Sequence, residues 1–446
     1  MVSLKRLHSL YGILCAQKAN NLAVLYEESD RVVKLTYGEL IRKVDEFPTF
    51  SGGCVGIFCD GSFDSLLSIF AYTKANTQIA LLNPMEDSAV LRKQIKSVRV
   101  SKLIGPESLV STYADCLVDS DEKNAHFMLF FTSGTTSASK AVALTEESIC
   151  SAAFNGSSLQ PLKEEDVLLS LLPYSHVFGF VCSMLWPFYC GAAIALGRGP
   201  RHFFDDFAFY RPTAVSLVPQ MAGFFALHQL FNPELKLILI GAGVLADPII
   251  AAIRQMGIRL SYGYGLTETS SGIALSLEDD PRAMTICPDY DVKIASDGEI
   301  LVKSSTTMMQ GYFEDEEKTK SSFTEDGYLK TGDLGNLDDQ NRLHIVGRKK
   351  EILVLPSGNK IFLPEYESEL ARMLNVKDDL AVVLSEKDQL VLAIHTGLSP
   401  QDIESGVKAF NKHHGRGEQI NRIQYFSQPL PKTQTGKIKR YDIKVD

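Results

Sequence analysis

The chain reads as a succession of short apolar runs, each followed by a stretch with helical periodicity. Cys54 to Cys59 is apolar throughout and leads into a periodic stretch from Phe63 to Lys74, and Ile79 to Leu82 is the next run. Val167 to Leu172, Ala192 to Leu196, Ala214 to Leu217, Leu235 to Ile240 and Arg259 to Tyr262 repeat the pattern. A strand covered on both faces shows no alternation, so strands of this kind interleaved with helices predict parallel sheets between helical layers. After about Pro288 the texture changes. Val292 to Val302 turns at Asp297-Gly298, which predicts a hairpin, and Leu343 to Val346 predicts another strand. Beyond Arg348 the pattern predicts a helix from Pro364 to Leu374 and strands over Leu380 to Leu384 and Leu390 to Thr396. The expected fold class is α/β. A large N-terminal domain of parallel α/β sheets with a small β-rich subdomain takes residues 1–348, and a small α+β C-terminal domain takes residues 349–446.

One apolar stretch, Val177 to Gly197, approaches bilayer length. Gly179, Pro187 and Gly191 divide it into pieces of element size, so it predicts a buried helix running into a buried strand and no transmembrane segment. The N-terminus shows no apolar core or cleavage site of a signal peptide. With 446 residues the chain is long enough for two or three domains, and 45% apolar with 22% charged residues is a folded, globular balance. A net charge of −9 disfavours nucleic acid and anionic membranes as partners. The eight cysteines include no C-x-x-C pair and no adjoining histidine cluster, which speaks against zinc and for reduced thiols in the cytoplasm.

Five segments carry candidate chemistry. The apolar run Phe127 to Phe131 opens into Thr132-Ser-Gly-Thr-Thr-Ser-Ala-Ser-Lys140, a loop of hydroxyls, one glycine and one cation suited to cradling a polyphosphate. Its spacing is not that of a Walker loop. Gly241-Ala242-Gly243-Val-Leu-Ala246 matches a dinucleotide fingerprint, but the acidic residue that fingerprint needs about twenty positions on is missing, so an NAD-dependent reading fails. Tyr262-Gly-Tyr264-Gly265-Leu-Thr267-Glu268-Thr269 offers a turn with an exposed ring, a hydroxyl donor and a carboxylate for a hard cation. Asp333, in Lys330-Thr-Gly-Asp-Leu-Gly335, is a carboxylate able to accept from paired hydroxyls. Leu430-Pro-Lys-Thr-Gln-Thr-Gly-Lys437-Ile-Lys-Arg440 is a basic segment close to the C-terminus.

In this order the segments resemble the adenylate-forming superfamily of acyl-CoA synthetases, adenylation domains and firefly luciferase, from Leu35-Thr-Tyr-Gly-Glu-Leu40 to Lys437. The resemblance implies an AMP-forming acid–thiol ligase. ATP and a carboxylic acid would yield an acyl-adenylate and pyrophosphate, and a thiol, coenzyme A or else an acyl carrier protein, would then take the acyl group. It implies that Thr132, Ser133, Gly134, Thr135, Thr136 and Lys140 bind the outer phosphates, where Ser137, Ser139 and Ala141 replace the usual Gly, Pro and Gly. Gly241, Ala242 and Gly243 would lie on the adenine side, with Tyr264 stacking beside Gly265. Thr267 would contact the α-phosphate, Glu268 would hold Mg²⁺, and Asp333 with Arg348 would bind the ribose. Lys350 would be the hinge of a mobile C-terminal lid, Lys437 would bridge carboxylate and α-phosphate, and Gly358 would face the thiol. Leu172-Pro-Tyr-Ser-His176-Val-Phe-Gly179 resembles the acyl- and aryl-activating version, and Gly347 to Ile361 resembles the fatty-acid branch. A non-catalytic acyl- or nucleotide-binding homologue is the alternative from another class.

Overall fold

The computed structural model describes residues 4–50, 52–118, 127–132, 140–277, 282–355, 360–376, 379–385, 388–432 and 438–445. The chain separates into two compact units. The larger comprises Met1–Ala295, Ile300–Thr331 and Asn336–His344, and the smaller comprises Ser296–Glu299, Gly332–Gly335 and Ile345–Asp446.

Two sheets organise the larger unit. The first has nine strands, in the order Thr285–Ile286, Ser271–Leu275, Arg259–Leu266, Leu237–Ile240, Ala214–Leu217, Val167–Ser170, Ala193–Leu196, Leu22–Glu28 and Arg31–Thr36. Its central pairs are parallel and its outer pairs antiparallel. Sequence explains the difference. Leu237–Ile240, Ala214–Leu217 and Ala193–Leu196 are buried at every residue, whereas the edge strand Arg31–Thr36 is mostly exposed or half-buried. The second sheet has six strands, in the order Gly311–Tyr312, Lys140–Leu144, Met128–Thr132, Gln78–Leu82, Cys54–Phe58 and Val100–Ile104. The helix Phe63–Lys74 connects two of its parallel strands, begins at the capping hydroxyl of Ser62 and is buried from Ser65 to Thr73.

The predicted hairpin forms, with Ile294 opposite Ile300 and Asp291 opposite Lys303, and its turn uses the positive φ of Gly298. In the smaller unit, Leu380–Leu384, Leu390–Ile394 and Arg422–Tyr425 form a three-stranded sheet. The helices Leu363–Leu374 and Pro400–Asn411 contribute Leu370, Ile403 and Phe410 to a core shared with Val382 and Leu392. The α/β class is therefore as expected.

Two local expectations change. The strand predicted to end at Tyr262 continues to Leu266, because its second half finds an antiparallel partner in Ser271–Leu275. The buried helix expected from Val177 forms and runs into the strand Ala193–Leu196, but it is not regular: Val177–Phe180 and Trp186–Tyr189 flank a widened π-type turn over Val181–Leu185. The widened turn ends two residues before Pro187, whose ring and missing N–H do not suit regular α-helical bonding to the preceding turn. No helix among the described residues is long and apolar enough to cross a membrane.

Glu146 opens the helix Glu146–Leu159, and its carboxylate accepts the backbone N–H of Leu10. Burial pushes its pKa up to about 7, against the opposing hydrogen bond. A raised carboxylate pKa means that the folded state holds more protons than the unfolded chain between about pH 4.5 and pH 7, so stability falls as pH rises through that window. Glu146→Gln keeps an acceptor for Leu10 without a buried charge. Chemical denaturation at pH 5 and pH 8 should show the variant gaining on the wild type at the higher pH, and an identical pH slope in both would contradict the assignment.

Candidate active site

The antiparallel strands Met128–Thr132 and Lys140–Leu144 are in register from Met128 opposite Leu144 to Thr132 opposite Lys140. Thr132 and Lys140 thus close the ladder as partners, both half-buried, with the chain between them outside the described residues. Ser133, Gly134, Thr135 and Thr136 belong to that outside segment.

On the far side of Lys140–Leu144 runs the two-residue strand Gly311–Tyr312, with Tyr312 opposite Val142. Lys140 and Val142 share a strand face, so Lys140 and Tyr312 are diagonal neighbours. The Lys140 ammonium lies 4.8 Å from the centroid of the Tyr312 ring. The Tyr312 hydroxyl donates to Glu268 Oε1 at 2.7 Å, and the Met309 N–H donates to the Glu268 carbonyl at 2.9 Å. Burial raises the Tyr312 pKa, and the neighbouring Glu268 carboxylate adds to the rise, so the phenol stays a donor. Nothing in the sequence marked Tyr312. Only the pairing of a distant edge strand brings it beside Glu268.

Glu268 and Thr267 sit in a short 3₁₀ turn, Thr267–Thr269, directly after the strand that carries Tyr264 and Gly265. A bulge falls between Tyr264 and Gly265, and a side chain on Gly265 would place its Cβ 1.7 Å from the carbonyl oxygen of Ser271. The Thr269 hydroxyl donates to the carbonyls of Leu266 and Ser271, which fixes the turn from within. Gly241 ends the strand Leu237–Ile240, and a Cβ there would lie 2.5 Å from the ring of Phe178. Ala242 adopts a left-handed backbone at φ 61°, and Ala242 and Gly243 are exposed. Phe178 comes from the His176 motif, where Gly179 packs so closely that a Cβ would lie 2.4 Å from the carbonyl oxygen of Pro173. The His176 ring is accessible to solvent but crowded by protein. That burial lowers its pKa, and Glu86 opposes the shift only in part.

The smaller unit holds Asp333 and Arg348. Asp333 is 3% exposed, and its Oδ1 lies 3.1 Å from Arg348 Nε. Gly332, at φ 72°, donates its N–H to Glu299. Lys349 pairs with Asp297 at 2.6 Å and Glu299 at 2.9 Å, which pins the turn Lys349–Glu351 where Lys350 stands exposed. Gly347 must be glycine, because a Cβ would lie 2.2 Å from the Phe362 ring. Lys437 and Gly358 lie outside the described residues. The flanks of Lys437 are fixed, however: Lys432 bridges Ile438, Lys439 donates to the Pro431 carbonyl, and Arg440 pairs with Glu367.

Among the described residues no group of three or more His, Cys, Asp or Glu side chains could hold a metal. Glu268 is a single carboxylate that shares the Tyr312 side chain with Lys140, and such a donor suits Mg²⁺, which keeps waters and takes few protein carboxylates alongside substrate phosphates.

The family model described as AMP-binding enzyme matches residues 113–313. A methyl-dioxo-octahydroindenyl-propanoyl:CoA ligase of Mycobacterium tuberculosis is 28% identical over 339 residues, 70% of this chain and 64% of that protein. The match therefore spans just under two thirds of that relative's length. The 2-succinylbenzoate–CoA ligase of Listeria monocytogenes is 26% identical over 454 residues, 94% of this chain and 93% of that protein. The o-succinylbenzoate CoA synthetase of Bacillus subtilis, solved with its acyl-adenylate intermediate, superimposes with a TM-score of 0.81 at 20% identity over 99% of each chain. The chain is thus similar to AMP-binding enzymes over residues 113–313 and to CoA ligases over most of its length, and it shares the fold of the adenylate-forming CoA synthetases, the resemblance its ordered motifs carry.

Gly265 and Gly263 form a matched pair for testing the bulge, since a Cβ on Gly263 would find its nearest neighbour at 3.5 Å. Gly265→Ala should cost about 3 kcal/mol and depress ATP binding, while Gly263→Ala should cost less than about 1 kcal/mol. Thermal melts and nucleotide titrations of both variants decide it, and equal behaviour would refute the steric account.

Proposed function

We propose that this protein uses ATP to convert a carboxylic acid into an acyl-adenylate and then passes the acyl group to the thiol of coenzyme A. The observation that supports this most is the Tyr312 junction. It gathers the lysine that ends the phosphate strands and the carboxylate suited to a phosphate-bound cation around one ring.

The chemistry brings two anions together. One carboxylate oxygen attacks the α-phosphorus, the bond from that phosphorus to the pyrophosphate oxygen breaks, and pyrophosphate leaves with the electron pair. Thr132 and Lys140 bind the outer phosphates, Thr267 the α-phosphate, Asp333 and Arg348 the ribose, and Tyr264 the adenine face. Glu268 would hold Mg²⁺, which would supply charge neutralisation at the phosphates. Lys437 offsets charge at the reacting oxygens. In the second step the thiol sulfur attacks the acyl carbon, the thiol proton passes to solvent and AMP departs. Lys350 serves as the pivot for exchanging Lys437 against the thiol-facing surface around Gly358.

His176 bears on the acid. Its lowered pKa leaves a neutral ring at the acyl side, which suits an apolar acyl or aryl group. The motif from Leu172 to Gly179 contains no aspartate for an α-amino group.

ATP–pyrophosphate exchange with fatty, aryl and amino acids, followed by trapping with coenzyme A or a carrier protein, tests the proposal. Exchange with a fatty or aryl acid and a CoA thioester product are expected. Absence of exchange with every acid would favour a non-catalytic ligand-binding role. Lys437→Ala should lower exchange about 100-fold or more while supplied acyl-adenylate is still thiolysed. Equal loss of both half-reactions would remove its assigned role. Lys350→Pro should slow thiolysis more than exchange, and an unaffected thiolysis rate would reject the pivot.

A further inference from the structure

Tyr312 stands out among residues that no motif explains. Its hydroxyl is spent on one carboxylate oxygen of Glu268, at 2.7 Å, and its ring lies beneath the Lys140 ammonium at 4.8 Å. The backbone around it is fixed on both sides. Gln310 donates to the Ala143 carbonyl at 2.9 Å and Phe313 to the Ala141 carbonyl at 2.8 Å, while the Tyr312 N–H donates to Thr319 Oγ1 at 2.9 Å. Gly311 admits that last bond, since a Cβ would lie 2.9 Å from the same Thr319 oxygen. The Met309 N–H holds the Glu268 backbone from the same segment. One short edge strand therefore grips Glu268 at both its main chain and its side chain, and presents an aromatic face to the lysine that ends the phosphate strands.

A hydrogen bond to one oxygen of a carboxylate fixes its rotamer and leaves the other oxygen as the ligating atom, which is how outer-sphere partners tune metal affinity. A cation over an aromatic face is attracted by the ring's electron-rich surface, which gives it a preferred direction. We propose that Tyr312 is a positioning residue, its hydroxyl orienting Glu268 toward a divalent cation on the nucleotide and its ring aiming Lys140 at the same phosphates. This rests on the ATP-dependent function proposed above.

The two halves of the side chain can be separated. Tyr312→Phe removes the hydroxyl and keeps the ring and the volume, whereas Tyr312→Leu removes both. The readout is the affinity of the full-length protein for Mn·ATP compared with ATP in EDTA, by titration calorimetry. For Tyr312→Phe the ratio of the two affinities should fall about tenfold, with metal-free ATP binding and the melting temperature close to wild type. For Tyr312→Leu, metal-free ATP binding should fall as well, through Lys140. An unchanged ratio in Tyr312→Phe overturns the inference. So does a proportional loss of both affinities, which is what a merely structural role would give. A wild-type protein that binds ATP no better with Mn²⁺ than in EDTA overturns the inference together with the metal placement. If the Tyr312→Phe effect is present but no acid supports pyrophosphate exchange, the inference stands and acid activation fails.

Discussion

Glu268 is the joint on which the proposed chemistry of the larger unit rests. It follows the long strand Arg259–Leu266 of the nine-stranded sheet, yet its carboxylate and its carbonyl are both bonded from the segment Met309–Tyr312, which forms the edge of the six-stranded sheet. The two sheets therefore meet at one acidic residue. A carboxylate is costly to desolvate unless hydrogen-bonded, and the Tyr312 phenol meets that requirement without adding a second charge, while the Met309 N–H serves the main-chain carbonyl. A lysine or arginine in place of Tyr312 would offset the charge of Glu268 and weaken it as a ligand for a cation.

The same logic appears in a different form at Asp333. That side chain is almost fully buried, and its neighbour Arg348 comes from the strand Leu343–Arg348. Burying a lone carboxylate is costly, and a guanidinium at 3.1 Å offsets part of that cost. Arg348 remains largely exposed, so it keeps most of its hydration while serving Asp333. A charged, oriented carboxylate with a second oxygen is the acceptor that a pair of vicinal hydroxyls requires.

Much of this was legible in the sequence because it is governed by local rules. The buried strands Leu237–Ile240 and Ala214–Leu217 announce themselves as unbroken apolar runs, and the turn Asp297-Gly298 announces its hairpin. The hydroxyl-rich loop, Glu268, Asp333 and Lys437 were singled out as candidates through residue type and order. What escaped was whatever depends on non-local pairing. Nothing near Tyr262 shows that its strand continues, because the partner Ser271–Leu275 that sustains it is reached only after a left-handed turn at Ser270 and Ser271. Tyr312 escaped for the same reason, since a two-residue strand carries no periodicity of its own.

The dinucleotide-like glycines show how one spacing serves two purposes. In a dinucleotide fold the first glycine permits a tight turn and the second lets backbone approach a pyrophosphate. Here Gly241 is required by the ring of Phe178, which occupies the space a Cβ would need, and the left-handed position falls on Ala242, a residue for which that backbone is strained. The turn is thus fitted to a neighbouring side chain that leads directly from His176. Glycine spacing alone reports only that something approaches closely. Identifying what approaches requires the partner, and in this chain the partner at Gly241 is the aromatic ring of Phe178, two residues after His176.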